Sequence, residues 1–132
     1  MRRLTATILA LFSLLIITGC SQAADSAKTA EVVPGIPVKN TVTLVDVGAT
    51  TCIPCRMMAP ILEEVKKEYA GRAAVIFIDA FDQANAGKAK AFKVMTIPAQ
   101  IFYDKQGREV FRHEGFFDKK SIIAKLDELL RQ

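Results

Sequence analysis

Along the 132-residue chain the period of the hydrophobic residues changes several times, and each change marks an element. Leu4 to Ile17 is a largely apolar stretch behind Met1-Arg2-Arg3. It is too short and wrongly flanked for a membrane span, and has the layout of a secretory signal peptide. Residues 21–40, SQAADSAKTAEVVPGIPVKN, are small, polar and punctuated by proline and glycine, the pattern of a tether. Its second half, around Val32 to Val38, has the composition of an edge strand, where Pro34 and Pro37 are tolerated. Thr41 to Gly48 is β-branched and apolar on both alternating faces, which predicts a strand buried between helices. From Arg56 to Tyr69, Met58, Ile61, Leu62, Val65 and Tyr69 recur at helical spacing, with charged residues on the other side. Pro60 falls inside this helix and predicts a kink and not a break. Ala73 to Asp79 reads as a second buried strand, and Asp82 as the cap of a weaker helix running to Phe92. AQIFYD and REVFRHEG, flanking Lys105-Gln106-Gly107, read as an antiparallel hairpin. Asp118 caps a last helix with Ile122, Ile123, Leu126, Leu129 and Leu130 on one face.

The order strand, helix, strand, helix, strand, strand, helix predicts a right-handed βαβ unit with an antiparallel hairpin at one edge. This is an α/β sandwich of about a hundred residues or fewer. A hydrophobic content of 51% supports one core. The net charge of +4 falls to +2 once Arg2 and Arg3 leave with the signal peptide. That charge is too mild, and too free of basic clusters interleaved with aromatics, for nucleic-acid binding.

Three cysteines are an awkward number for an exported chain. The segment LIITGC, with Gly19 directly before Cys20, resembles the lipobox of bacterial lipoproteins, which implies cleavage before Cys20 and lipid on its sulfur. The chain then divides into a lipoprotein signal peptide (1–19), a lipidated tether (20–40) and a folded domain (41–132). Only Cys52 and Cys55 remain as thiols.

Those two stand at the start of the first predicted helix. A thiolate in that first turn faces unpaired backbone N–H groups and the positive end of the helix dipole, both of which favour the charged form. Cys55, one turn on, can reach a mixed disulfide formed at Cys52 and release its partner. Pro54 suits the first turn, where its missing N–H costs nothing. A structural zinc site needs about four ligands, and the chain offers two thiols, His113 and scattered carboxylates. Arg56 in place of histidine departs from the haem-attachment pattern. A disulfide closing so short a loop would constrain the unfolded chain little. Redox chemistry is therefore the favoured use of the pair over metal binding or a structural staple.

The run VDVGATTCIPCRMMAPILEEV, followed by VIFID and TIPAQIFYDKQGREVFRHEG, resembles the thioredoxin superfamily over nearly all of Thr41 to Gln132. Cys52 and Cys55, Pro60, Thr96-Ile97-Pro98 and Gly115 carry the resemblance. It implies a three-layer α/β/α sandwich with a mixed sheet. It further implies that Pro98 is a cis-proline beside the cysteines, with Ile97, Pro98, Ile53 and Pro54 meeting the substrate. Asp46, six positions before Cys52, falls where the family keeps a buried acid. It alternates with Leu44 and Val42, so burial would raise its pKa and let it take a proton from Cys55. The sequence departs from the family at Thr51, where a tryptophan is usual, at Val75, where a lysine often accompanies the acid, and at Ile53-Pro54 between the cysteines.

By this resemblance the chain is a membrane-tethered thiol:disulfide oxidoreductase of the cell envelope, facing away from the cytoplasm. It would be a monomeric reductase with Cys52 as nucleophile and Cys55 as resolving thiol. Protein disulfides would be its substrates and a membrane relay of the DsbD or CcdA type its electron source, with neither cofactor nor metal. The alternative is a binding module or copper carrier that uses both cysteines as ligands. His113 reads as a strand residue near solvent, at the far end of the hairpin from Pro98. Met57, Met58 and Met95 read as packing at the rim of the site, and Phe111, Phe116 and Phe117 as core and edge packing.

Overall fold

The computed structural model describes residues 35–132. The signal peptide, Cys20 and most of the tether lie outside the described residues. Four strands, β1 (Val42–Gly48), β2 (Ala73–Asp79), β3 (Ala99–Tyr103) and β4 (Glu109–Glu114), form one sheet in the order β2-β1-β3-β4. β1 runs parallel to β2, from Val42 opposite Ala73 to Gly48 opposite Asp79, and antiparallel to β3. β3 and β4 make the expected hairpin. In its turn Asp104 accepts hydrogen bonds from the Gln106 and Arg108 backbone N–H groups. Gly107 supplies the positive φ of +79° that the turn requires.

Every residue of β1 is buried, as its two apolar faces predict. On one face Val42 and Leu44 join Met58, Leu62 and Val65 of α1 (Ile53–Glu68) and Ile122, Leu126 and Leu129 of α3 (Lys119–Leu130). On the other, Val45 and Val47 meet Ile78, Phe92 and Ile101 beneath α2 (Ala86–Ala91). The sandwich is thus the three-layer arrangement expected. α1 is tied to α3 by the Tyr69 hydroxyl, which donates to Asp127 Oδ1 at 2.7 Å.

α1 begins at Ile53, with Cys52 as its N-cap and Pro54 in its first turn as expected, and runs through Pro60 without a break. Two local expectations need adjustment. The helix expected after Asp82 is split: Asp82 accepts from Ala84 N–H and caps a short 3-10 turn, Gln83–Asn85, before the six-residue α2. In the described part of the tether, Ile36 forms a single bridge in place of a strand. Its side chain packs against the α2-side core, and Val38 N–H donates to Thr43 Oγ1 at 3.1 Å.

Candidate active site

The loop between β1 and α1 is fixed from both sides. Ala80 N–H donates to Gly48 O at 2.7 Å and Cys52 N–H to Ala49 O at 3.1 Å. Asp79, at the end of β2, accepts from the backbone N–H of Phe81 and from both the backbone and the hydroxyl of Thr50. These donors, Phe81 first, hold its carboxyl below the usual carboxylate range. Nothing in the hydrophobic pattern singles out Asp79, because its partner Thr50 is distant in sequence.

Cys52 is the N-cap residue of α1, with extended φ and ψ of −84° and 124°. Its sulfur accepts from Cys55 N–H at 3.4 Å and so lies against the unpaired donors of the helix start. Cys52 and Cys55 are joined in a disulfide, with Cα atoms 5.3 Å apart. Cys52 is half-buried and Cys55 is 4% exposed, so Cys52 is the more accessible of the two. Pro54 falls in the first turn of α1, where the helix needs no N–H, and Ile53 stands 73% exposed beside it.

Asp46 is fully buried on the α1 side of β1, in the alternation with Val42 and Leu44 that the sequence shows. Gly48, two residues on, shares that face, and a Cβ placed there would lie 3.4 Å from Cys55 Sγ. The Asp46 Cα is thus about 7 Å along the strand from that of Gly48, beside which the buried sulfur lies. Gln100 Nε2 donates to Asp46 Oδ1 at 2.7 Å. Burial pushes the Asp46 carboxyl up to about 6, and the Gln100 hydrogen bond offsets part of the rise.

Gln100 is the site residue that sequence reasoning missed. It sits in a strand of otherwise apolar residues and is itself fully buried. A glutamine at an inward position between Ala99 and Ile101 is the one signal that could have found it.

The Ile97–Pro98 peptide is cis, as the resemblance implies. Pro98 O accepts from Gly115 N–H at 2.7 Å, which closes the open end of the hairpin. Since Ala99 pairs with Val47, this end coincides with the end of β1 from which the cysteine loop leaves. His113 corrects an expectation. The antiparallel register places it opposite Gln100, at the Pro98 end of the hairpin and not the far end. Its ring stacks on Phe117 at 4.3 Å, and its Nε2 lies 3.2 Å from Phe116 O. Across the sheet, Phe77, Asp46, Gln100 and His113 therefore form one row.

The methionines divide. Met58 is fully buried and its Sδ accepts from Phe117 N–H at 3.3 Å, whereas Met57 and Met95 are exposed. Phe111 and Phe117 pack on the core as expected, while Phe116 stands partly free. A cleft of about 220 Å³ beside Cys55 is lined by Ala49, Arg56, Ala59, Leu62, Glu63 and Phe77. Among the described residues no group of three or more His, Cys, Asp or Glu side chains converges to hold a metal ion. No described helix is long and apolar enough to cross a membrane.

Comparison with known proteins agrees with this geometry. The family model described as Thioredoxin matches residues 25–128. The thioredoxin of Staphylococcus aureus is 39% identical over 93 residues, which make up 70% of this chain and 86% of that relative. Among solved structures, chloroplastic thioredoxin z superposes with a TM-score of 0.65 at 27% identity, covering 74% of this chain and 86% of the other. The exposed lipoprotein thioredoxin of Streptococcus pneumoniae shares the fold with a TM-score of 0.58 at 23% identity, covering 69% and 87%.

Proposed function

The chain belongs to the thioredoxin family and is a thiol:disulfide oxidoreductase, and on that premise we propose that it acts as a reductase, tethered to the membrane through lipid on Cys20, on the side away from the cytoplasm. One observation carries the chemistry: a half-buried Cys52 at the N-terminus of α1, joined to a buried Cys55 on the face that also holds Asp46. The location rests on the sequence, on Met1-Arg2-Arg3, the apolar stretch to Ile17 and Gly19-Cys20.

In the reaction the Cys52 thiolate attacks one sulfur of a protein disulfide. A mixed disulfide forms at Cys52 and the other substrate sulfur leaves as thiolate. Cys55 then gives its proton to Asp46 by way of water and attacks Cys52 Sγ, which forms the Cys52–Cys55 disulfide and releases the second substrate thiolate. Two electrons pass from the cysteine pair to the substrate, and protonated Asp46 returns its proton to solvent. The exposed Ile53 and the backbone around Ile97 and cis-Pro98 form the surface a substrate strand meets. A membrane relay of the DsbD or CcdA type would reduce the pair again. The reading as a binding module or copper carrier is not favoured, because the chain's relatives are thioredoxins.

Insulin reduction tests the activity: the wild type turns over and Cys52→Ser does not. The reduction potential against glutathione tests the direction. A value near −270 mV, about that of thioredoxin, supports a reductase, and one near −120 mV, about that of a strong oxidant, reverses the assignment. Labelled fatty acid should enter the full chain and not its Cys20→Ser variant; equal labelling, or none in either, refutes the lipid tether.

A further inference from the structure

Two buried side-chain atoms have no hydrogen-bond partner among the described residues, Asp46 Oδ2 and Gln100 Oε1. Both belong to the pair already joined by the bond from Gln100 Nε2 to Asp46 Oδ1. Both are also acceptors, so the pair lacks a donor. One proton on Asp46 Oδ2 supplies it, since a carboxylic acid is a donor and the amide carbonyl is free to accept. A primary amide and a carboxylic acid can pair in this way through two parallel hydrogen bonds. Buried polar groups left unsatisfied are costly, and this pair is relieved by protonation of the acid.

We propose that Gln100 is a positioning residue for the proton that Asp46 exchanges with Cys55: its amide nitrogen holds the carboxylate through Oδ1, and its carbonyl oxygen receives the hydrogen of the neutral acid at Oδ2. This deepens the proposed mechanism and rests on it. When Asp46 takes the Cys55 proton, the S–H bond breaks, an O–H bond forms and the sulfur keeps the electron pair. The new O–H group meets an acceptor already in place. When the proton leaves, the N–H donor remains on the carboxylate. Gln100 thus supports the acid in both charge states, where a cationic partner would favour only the ionised one.

Asp46 pairs with Phe77 of β2, and on the same face of the sheet α1 presents Cys55, Met58 and Leu62 and α3 presents Ile122 and Leu126. Beyond Gln100, β4 presents His113, the titratable group across the sheet on that side.

NMR titration of the oxidised protein, whose disulfide removes Cys55 from the titration, tests the proposal. In the wild type the Gln100 side-chain amide and carbonyl carbon signals should move with the same midpoint as the Asp46 carboxyl carbon. A Gln100 carbonyl that stays fixed while Asp46 titrates overturns the proposal, and this result needs no variant. Gln100→Leu takes one charge-assisted bond from the ionised acid and both neutral bonds from the protonated acid, and because a charge-assisted bond is worth about two neutral ones the losses nearly cancel. The Asp46 midpoint should therefore move by less than about half a pH unit; a rise of about one unit, the result if Gln100 only donates to the carboxylate, overturns the acceptor role of its carbonyl. His113→Gln should not move the midpoint, and a shift of about one unit there would assign the linked titration to His113. Insulin reduction is read separately: linked titration without turnover refutes the oxidoreductase mechanism and spares the pair, and turnover without linked titration refutes only the pair.

Discussion

Gly48 lies directly against Cys55: a Cβ added to the glycine would stand 3.3 Å from Cys55 Cβ and 3.4 Å from its sulfur. The end of the first strand therefore supports the buried half of the disulfide from below. The same Cβ would approach the Phe77 ring to 3.0 Å. Phe77 is half-exposed and can turn aside, but Cys55 is held in the first turns of α1 and cannot.

Gly48→Ala should accordingly destabilise the oxidised protein by about 1–3 kcal/mol through overpacking. Urea denaturation reads this cost. Combining it with Phe77→Ala should recover only the part due to the ring. A Gly48→Ala variant as stable as the wild type would show that the contact is loose.

Burial of Asp46 has a pH signature whose sign is fixed. Its folded pKa of about 6 lies above the ordinary 3.8, so between those values the native state binds more protons than the unfolded chain. The resulting penalty is absent below pH 3.8 and complete above about pH 6, where it approaches 3 kcal/mol. Asp46→Asn should then be more stable than the wild type at pH 8 and gain little at pH 4, while its turnover of insulin falls. Denaturation midpoints at both pH values decide it; an equal effect at each would mean that the carboxyl is not the cause.

In the reduced protein Cys52 and Cys55 should differ sharply toward an alkylating reagent. The Cys52 sulfur accepts from the backbone at the start of α1 and is half-exposed, whereas Cys55 is nearly inaccessible. Iodoacetamide at mildly acidic pH should modify Cys52 first, as peptide mass analysis would show. Equal, slow labelling of both would contradict the assignment of Cys52 as nucleophile.

Tyr69 provides a control remote from the cysteines. Its buried hydroxyl donates to Asp127, and burial with that partner pushes its pKa up to about 12. Tyr69→Phe should cost about 1.5 kcal/mol, the usual worth of a hydrogen bond to a charged group, and leave the reduction potential unchanged. A shift in potential would mean that the packing of α1 on α3 reaches the active site.

The sequence by itself determined most of the frame. Apolar runs placed the buried strands, glycine between two short strand patterns placed the hairpin, and the 3.6-residue period placed α1 and α3, because a central strand buries both faces and a covering helix only one. It also marked Cys52 and Cys55, whose spacing and intervening Pro54 suit a helical first turn, and it put Asp46 on the inner face of its strand. What it could not supply were relationships between elements. Gln100 meets Asp46 across 54 residues of chain. Gly48 meets Cys55 only because α1 folds back over β1, and Asp79 reaches Thr50 across the parallel pair. His113 lies opposite Gln100, at the Pro98 end of the hairpin, a position that only the antiparallel register sets. Local patterns record which face each residue presents; which residue it meets there is decided by strand order, register and the crossing of the helices.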